Sequence, residues 1–195
     1  MSSKSEAPVP SSTLSRTILS APTNGITPEL REHMFKITDG LSSIESYGNT
    51  ILRNLKVTEM SLLQKEEELG KLEAKMVFET RVDDSMLNDT ESMHGGCTAF
   101  LVDFCSSITL SLILAHFHRP PSQVSQTLSI VYHAPANKGV KVRIVNRTIT
   151  MGKRIMSART EVYDAEHSRL VATGVHTKMA PSDTGGGNPT RLGKL

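Results

Sequence analysis

The longest apolar run in the chain lies between Met93 and His118, where His94-Gly95-Gly96 opens a segment whose single carboxylate is Asp103. The run holds no proline and is too long for one buried strand, so it predicts a helix buried on nearly every side. Ser92 is placed to cap it. The two glycines let the backbone turn in, leaving the amides of the first turn, chiefly that of Gly95, facing outward at the positive end of the helix dipole. Such a terminus suits negative charge.

The flanking patterns are those of a sheet. Thr27-Pro28-Glu29-Leu30 combines a cap, a first-position proline and a first-turn acid, and predicts a helix from Pro28 to about Asp39 that packs over a sheet edge. Ile51 to Leu63 and Lys71 to Val82 read as strands joined by an acidic turn, Lys65 to Gly70, and the second alternates clearly enough to leave one face wet. A polar loop, Asp83 to Glu91, carries Asn88 into the long helix. Beyond Pro120-Pro121 four more strands are expected, at Val124 to His133, Val140 to Thr150, Lys153 to Tyr163 and Arg169 to Lys178, with joints short enough for antiparallel neighbours. Two strands, one long helix and four strands make an α+β domain, a single antiparallel sheet wrapped around a central helix. It should span 27–180. Residues 1–26, rich in Ser, Thr and Pro, and the Gly-rich residues 181–195 are expected to be disordered.

Composition narrows the classes of function. The net charge is +2, and one unit of it lies before Ile26 and one after Pro181, so the body is neutral and a nucleic-acid partner is not expected. A membrane span is disfavoured, because an Asp near the middle of the apolar run costs about 2.5–3.5 kcal/mol on insertion. Cys97 and Cys105 lie about 12 Å apart along the predicted helix, too far for a disulfide, and read as core residues of a reducing compartment. No His or Cys spacing suggests a metal site, and no cofactor is expected. Arg16 and the scarcity of acids near it faintly suit a mitochondrial transit segment, so the expected location is cytoplasmic or mitochondrial.

Two features could act on a carbonyl. An amide at the helix start can hold an oxyanion, and the Asp103 carboxylate can serve as base or nucleophile. Eight residues of helix separate them by about 12 Å, whereas both must lie about 3 Å from one reacting centre. Antiparallel approach of two identical segments in a two-fold dimer removes the difficulty. Between Lys138 and Arg159 the chain also carries seven basic residues and no acid, which either attract a phosphorylated ligand or form solvated, aggregation-resistant strand faces.

Asn88, then His94-Gly95-Gly96, then Leu101-Val102-Asp103, then Tyr132-His133-Ala134-Pro135-Ala136, then Gly174-Val175-His176-Thr177-Lys178 together resemble the hotdog-fold acyl-CoA thioesterases, specifically the phenylacetate-pathway and thioesterase superfamily group. The resemblance covers about Lys71 to Met179. It implies a hotdog domain that hydrolyses acyl-CoA, usually as a homotetramer built from two homodimers. It further implies that Gly95 supplies the oxyanion amide and Asp103 activates water or attacks the thioester. Asn88 would help to position thioester and water, His94 would orient the thioester, and Ser125 would lie beside the aspartate. Tyr132, His133, Ala134, Pro135, Ala136 and Asn137, with Thr150, Met151, Gly152, Lys153, Arg154, Ile155 and Met179, would line the CoA groove. Cys97 and Phe100 make the helix start bulkier than in many relatives, and Gln126 to Ser129 is unusually polar. A hotdog module that binds acyl-CoA or a protein partner without hydrolysis is the alternative, and a hotdog dehydratase ranks last.

Overall fold

A computed structural model describes residues 10–181 of the chain. The sheet has seven strands: β1 (Thr23–Asn24), β2 (Lys56–Gln64), β3 (Leu72–Arg81), β4 (Val124–Tyr132), β5 (Lys141–Met151), β6 (Ile155–Asp164) and β7 (Arg169–Met179). Their order is β1-β2-β3-β5-β6-β7-β4. All neighbours are antiparallel except the two-residue β1, which lies parallel to β2.

The long helix, α4 (Gly95–His116), lies against the concave face formed by β3, β5, β6 and β7. Alternation along the strands decides what meets it. Met76 and Phe78 of β3, Val142 and Ile144 of β5, Ala158 and Val162 of β6, and Ala172 of β7 all point inward and are fully or almost fully buried. Every residue from Ile108 to Leu114 is buried, so the apolar surface that might have suited a membrane is spent inside the fold. The helix packs tightly on β7 at Gly174, where an added Cβ would lie 2.6 Å from Val102 Cγ1; only a residue without a side chain admits this contact.

Several expectations are corrected. The N-terminal segment is ordered from Ser12 onward: α1 (Thr13–Ser20) buries Leu14 and Ile18, and Ser12 and Ser15 close a reciprocal capping box. Arg31 holds its far end, donating to the carbonyls of Ile18, Leu19 and Ala21. Residues 1–9 and 182–195, also expected to be disordered, lie outside the described residues. The helix begun at Pro28 is α2 (Pro28–Ser42), capped by Thr27 as read, but it packs on α1 and α4 rather than over a sheet edge. Ile51 to Leu63 is not one strand, because a short helix, α3 (Asn49–Leu52), precedes β2. Gly48, at φ +81°, enters that helix with its Cα against the Phe100 ring, a place where any side chain would collide.

Candidate functional site

The candidate residues form two groups, each part of a candidate site, along the exposed stripe of α4, one at the helix start and one eight residues further on. The first surrounds the helix start. His94, not Ser92, is the cap: its Nδ1 accepts from Gly96 N at 2.9 Å, while Ser92 is buried and bound to Asn88. Because Nδ1 accepts, the proton of the neutral imidazole sits on Nε2. The Gly95 N–H has no acceptor among the described residues, as the first amide of a helix should. Asn88 uses its Oδ1 to receive the backbone amides of Thr90 and Ser92, each at 3.0 Å, and both hydroxyls of those residues. Its Nδ2 is therefore the only end that can meet a carbonyl. Tyr132 closes this end of the site from the last position of β4, donating from its hydroxyl to Gly95 O at 2.9 Å.

The second partial site surrounds Asp103. In the single chain this carboxylate is not buried as the apolar run suggested; its side chain is 43% exposed. Beneath it lies His176, with no exposed surface, whose Nδ1 is 2.7 Å from Ser106 Oγ and whose Nε2 is 3.0 Å from Ser125 Oγ and 3.4 Å from Asp103 Oδ1. Burial and the nearby Lys178 cation push the His176 pKa down to about 4, against the opposing pull of Asp103, so the ring is neutral. With the carboxylate beside Nε2, the ring proton is best placed there, and Ser106 then donates to Nδ1. Lys178 is also buried; its ammonium donates to Ser107 Oγ at 2.7 Å, and burial lowers its pKa while Asp103 raises it. Ser107 in turn donates to the Asp103 carbonyl at 2.7 Å.

His176 and Lys178 were part of the recognised motif but had been given no role. Their signal was strand parity. In β7 the positions that share a face with Ala172 and Gly174 belong in the core, and a His and a Lys at the next two such positions have to be paired there.

The structure brings Asn88, His94, Gly95 and Tyr132 together, and separately Asp103 and Ser125. It does not bring the two sets together, since eight residues of helix, about 12 Å, lie between Gly95 and Asp103. The expected CoA groove divides in the same way. His133 to Asn137 continue from the Tyr132 end of β4, with Ala136 accepting from Met93 N and Asn137 bridged to Ser92. Thr150 to Ile155 form the β5–β6 turn, which meets Met179 beside the opposite end of β4.

The basic run is not a patch in space. Lys138 pairs with Asp84, Lys141 with Glu79 and Arg147 with Glu73, because a neighbouring loop and strand present the acids the run itself lacks, and Arg159 pairs with Glu161 two residues on in the same strand. Lys153 and Arg154 stay exposed and without an ion pair among the described residues. The two cysteines are no nucleophiles: burial raises Cys97 to about 11 and Cys105 well above its ordinary value.

A family model described as the thioesterase superfamily matches residues 91–171. Mouse acyl-coenzyme A thioesterase 13 is 31% identical over 104 residues, 53% of this chain and 71% of the relative. Among solved structures, zebrafish thioesterase superfamily member 2 superposes with a TM-score of 0.60 at 24% identity, covering 75% of this chain and 94% of that one. The mouse thioesterase superfamily member 2 gives 0.56 at 27% identity, covering 80% and 97%. Both carry the long helix against a curved sheet that defines the hotdog fold. By sequence and by fold, the chain belongs to the thioesterase superfamily.

Proposed function

We propose that the protein hydrolyses acyl-CoA thioesters at sites shared between two copies of the chain. The observation that supports this reading is that Gly95 and Asp103 lie eight residues apart on one uncovered stripe of α4. Along α4, Gly95, Gly96, Ala99, Phe100, Asp103, Phe104 and Ser107 keep solvent exposure while the other residues up to Leu114 are buried. Alongside runs β4, an edge strand exposed at every position except the half-buried Ile130. Its free hydrogen-bonding edge and exposed Leu128, Val131 and Tyr132 suit a second copy. The midpoint between Gly95 and Asp103 is residue 99, and the midpoint between Ser125 and Tyr132 falls between Leu128 and Ser129. A two-fold axis through both points would set each Gly95 beside the partner's Asp103, and each Tyr132 end of the groove beside the partner's Ser125 end.

In such a site the acyl carbonyl lies against the Gly95 N–H and Asn88 Nδ2. Water, held by Ser125 and the Asp103 carboxylate of the other copy, adds to the carbonyl carbon as Asp103 takes its proton. The C–O bond forms, the carbonyl electrons move to oxygen, and the Gly95 amide stabilises that charge. Collapse restores the carbonyl and breaks the C–S bond, and the proton passes from Asp103 to the departing CoA sulfur. Direct attack by Asp103, giving a mixed anhydride that water opens, uses the same groups. Tyr132–Asn137 of one copy with Thr150–Ile155 and Met179 of another would hold the CoA, Lys153 and Arg154 facing its phosphates. A cytoplasmic or mitochondrial location and a homotetramer are part of the same proposal. Purified protein is assayed with short, long and aryl acyl-CoAs and a thiol reagent. Release of CoA, reduced at least about a hundredfold in Asp103→Asn with the fold intact, is expected; a variant as active as the wild type removes Asp103 from the reaction.

A further inference from the structure

The first peptide of α4, between Gly95 and Gly96, is gripped from both sides by side chains of its own chain. Tyr132 Oη donates to its carbonyl oxygen at 2.9 Å, and its N–H donates to His94 Nδ1 at 2.9 Å. A peptide unit is planar, so two such bonds fix its plane. This is where a grip is most needed, because consecutive glycines have the greatest backbone freedom in the helix. The Tyr132 ring lies along Gly95, close enough that an added Cβ would touch it at 3.5 Å. The adjoining Gly95 N–H has no acceptor among the described residues and is left pointing outward.

We infer that Tyr132 is a positioning residue for the oxyanion amide: by holding the Gly95 carbonyl, its hydroxyl restrains rotation at Gly95, and with the preceding peptide held by Thr98 N on the His94 carbonyl at 3.0 Å this steadies the pose from which the Gly95 N–H points. The inference rests on the thioesterase reading. It assigns the hydroxyl a role other than contact with CoA, since its single proton is committed to Gly95 O and only the half-exposed ring remains for a ligand. The bond lies within one chain and so acts on whichever site that chain's Gly95 serves.

Tyr132→Phe keeps the ring and removes the bond. The expected result is a kcat lowered about threefold to tenfold, the range of one neutral hydrogen bond, with KM unchanged for acyl-CoA and for the matching N-acetylcysteamine thioester. Two unreactive analogues separate positioning from general loosening: a fluorinated ketone analogue of acyl-CoA with CF2 in place of sulfur, whose hydrate resembles the tetrahedral intermediate, and an S-alkyl-CoA that lacks the carbonyl. The variant should bind the first several-fold more weakly than the wild type does and the second equally well. An unchanged kcat, a rise confined to KM for acyl-CoA, or equal weakening of both analogues would each overturn the inference. Failure of the wild type to hydrolyse either thioester would instead sink the thioesterase reading, and the two analogues would still report on Tyr132.

Discussion

If each site takes Gly95 and Asn88 from one chain and Asp103 from another, two dead variants should rescue each other. Asn88→Ala removes the side-chain amide that would join the Gly95 N–H at the carbonyl, and Asp103→Ala removes the carboxylate, so each homodimer would carry two damaged sites. The structure sets the size of the rescue. In a mixed dimer one interface site collects both defects, while the other receives Asn88 and Gly95 from the Asp103→Ala chain and an intact Asp103 from the Asn88→Ala chain. Random pairing of equal amounts makes half of the dimers mixed, and each regains one of two sites, so kcat per chain should approach about a quarter of the wild type. The variants are unfolded together, refolded, and assayed for CoA release at saturating substrate; differently tagged chains co-purify to show that mixing occurred. A demonstrably mixed sample as inactive as its parents would mean that one chain supplies every catalytic group. The 12 Å of helix between Gly95 and Asp103 would then have to be bridged in some other way.

Three other outcomes follow from named contacts. Gly174→Ala places a methyl 2.6 Å from Val102 Cγ1 and should cost about 1–3 kcal/mol in urea unfolding while lowering kcat, because Val102 adjoins Asp103 on the helix; wild-type stability would show that α4 can shift freely. His176 is held neutral near pKa 4 in the folded chain against 6.5 in the unfolded one, so its contribution to stability is full above about pH 6.5 and is lost as pH falls towards 4. That amounts to a few kcal/mol, about 1.4 per unit, and His176→Gln should flatten this part of the stability–pH curve; identical slopes for the two proteins would contradict it. Neutralising Lys153 and Arg154 together should raise KM for acyl-CoA and leave that for an N-acetylcysteamine thioester nearly unchanged, whereas equal effects would detach the β5–β6 turn from the nucleotide.

Long-range patterns were legible in the chain, and short cooperative ones were not. The central helix, β3 and the four strands after Pro120 follow from an unbroken apolar run and from alternation, both of which bury enough surface to dictate structure alone. α1 was missed because only Leu14 and Ile18 are buried large apolar residues within a Ser- and Thr-rich segment, and its stability comes from partners distant in sequence. Thr17 Oγ1 receives the amide of Val57, and Arg31 caps the helix end. The basic run stayed ambiguous for a related reason: a sequence shows which charges are adjacent along a strand but not the acids across it, and Glu73 and Glu79 meet Arg147 and Lys141 only once the sheet forms. Gly95 and Asp103 stood out as exceptions to their surroundings. The His176 and Lys178 pair did not, since one inward polar residue at the end of a strand resembles the start of a loop.

The exposure of Asp103 bears on how the site gains its reactivity. In an isolated chain a carboxylate with nearly half its surface in water keeps its hydration, and an amide about 12 Å away cannot act with it. Laying a second copy along β4 would change both at once, covering the α4 stripe and bringing in the missing amide. The groups already buried under Asp103 fit that later environment better than the present one. A neutral His176 hydrogen-bonded at both nitrogens and a buried Lys178 ammonium form a polar floor that would suit a carboxylate covered by a second copy. In the proposed dimer each chain would be folded around half of two sites, with the polar support of the carboxylate built in advance, and assembly would supply the desolvation and the oxyanion donor together.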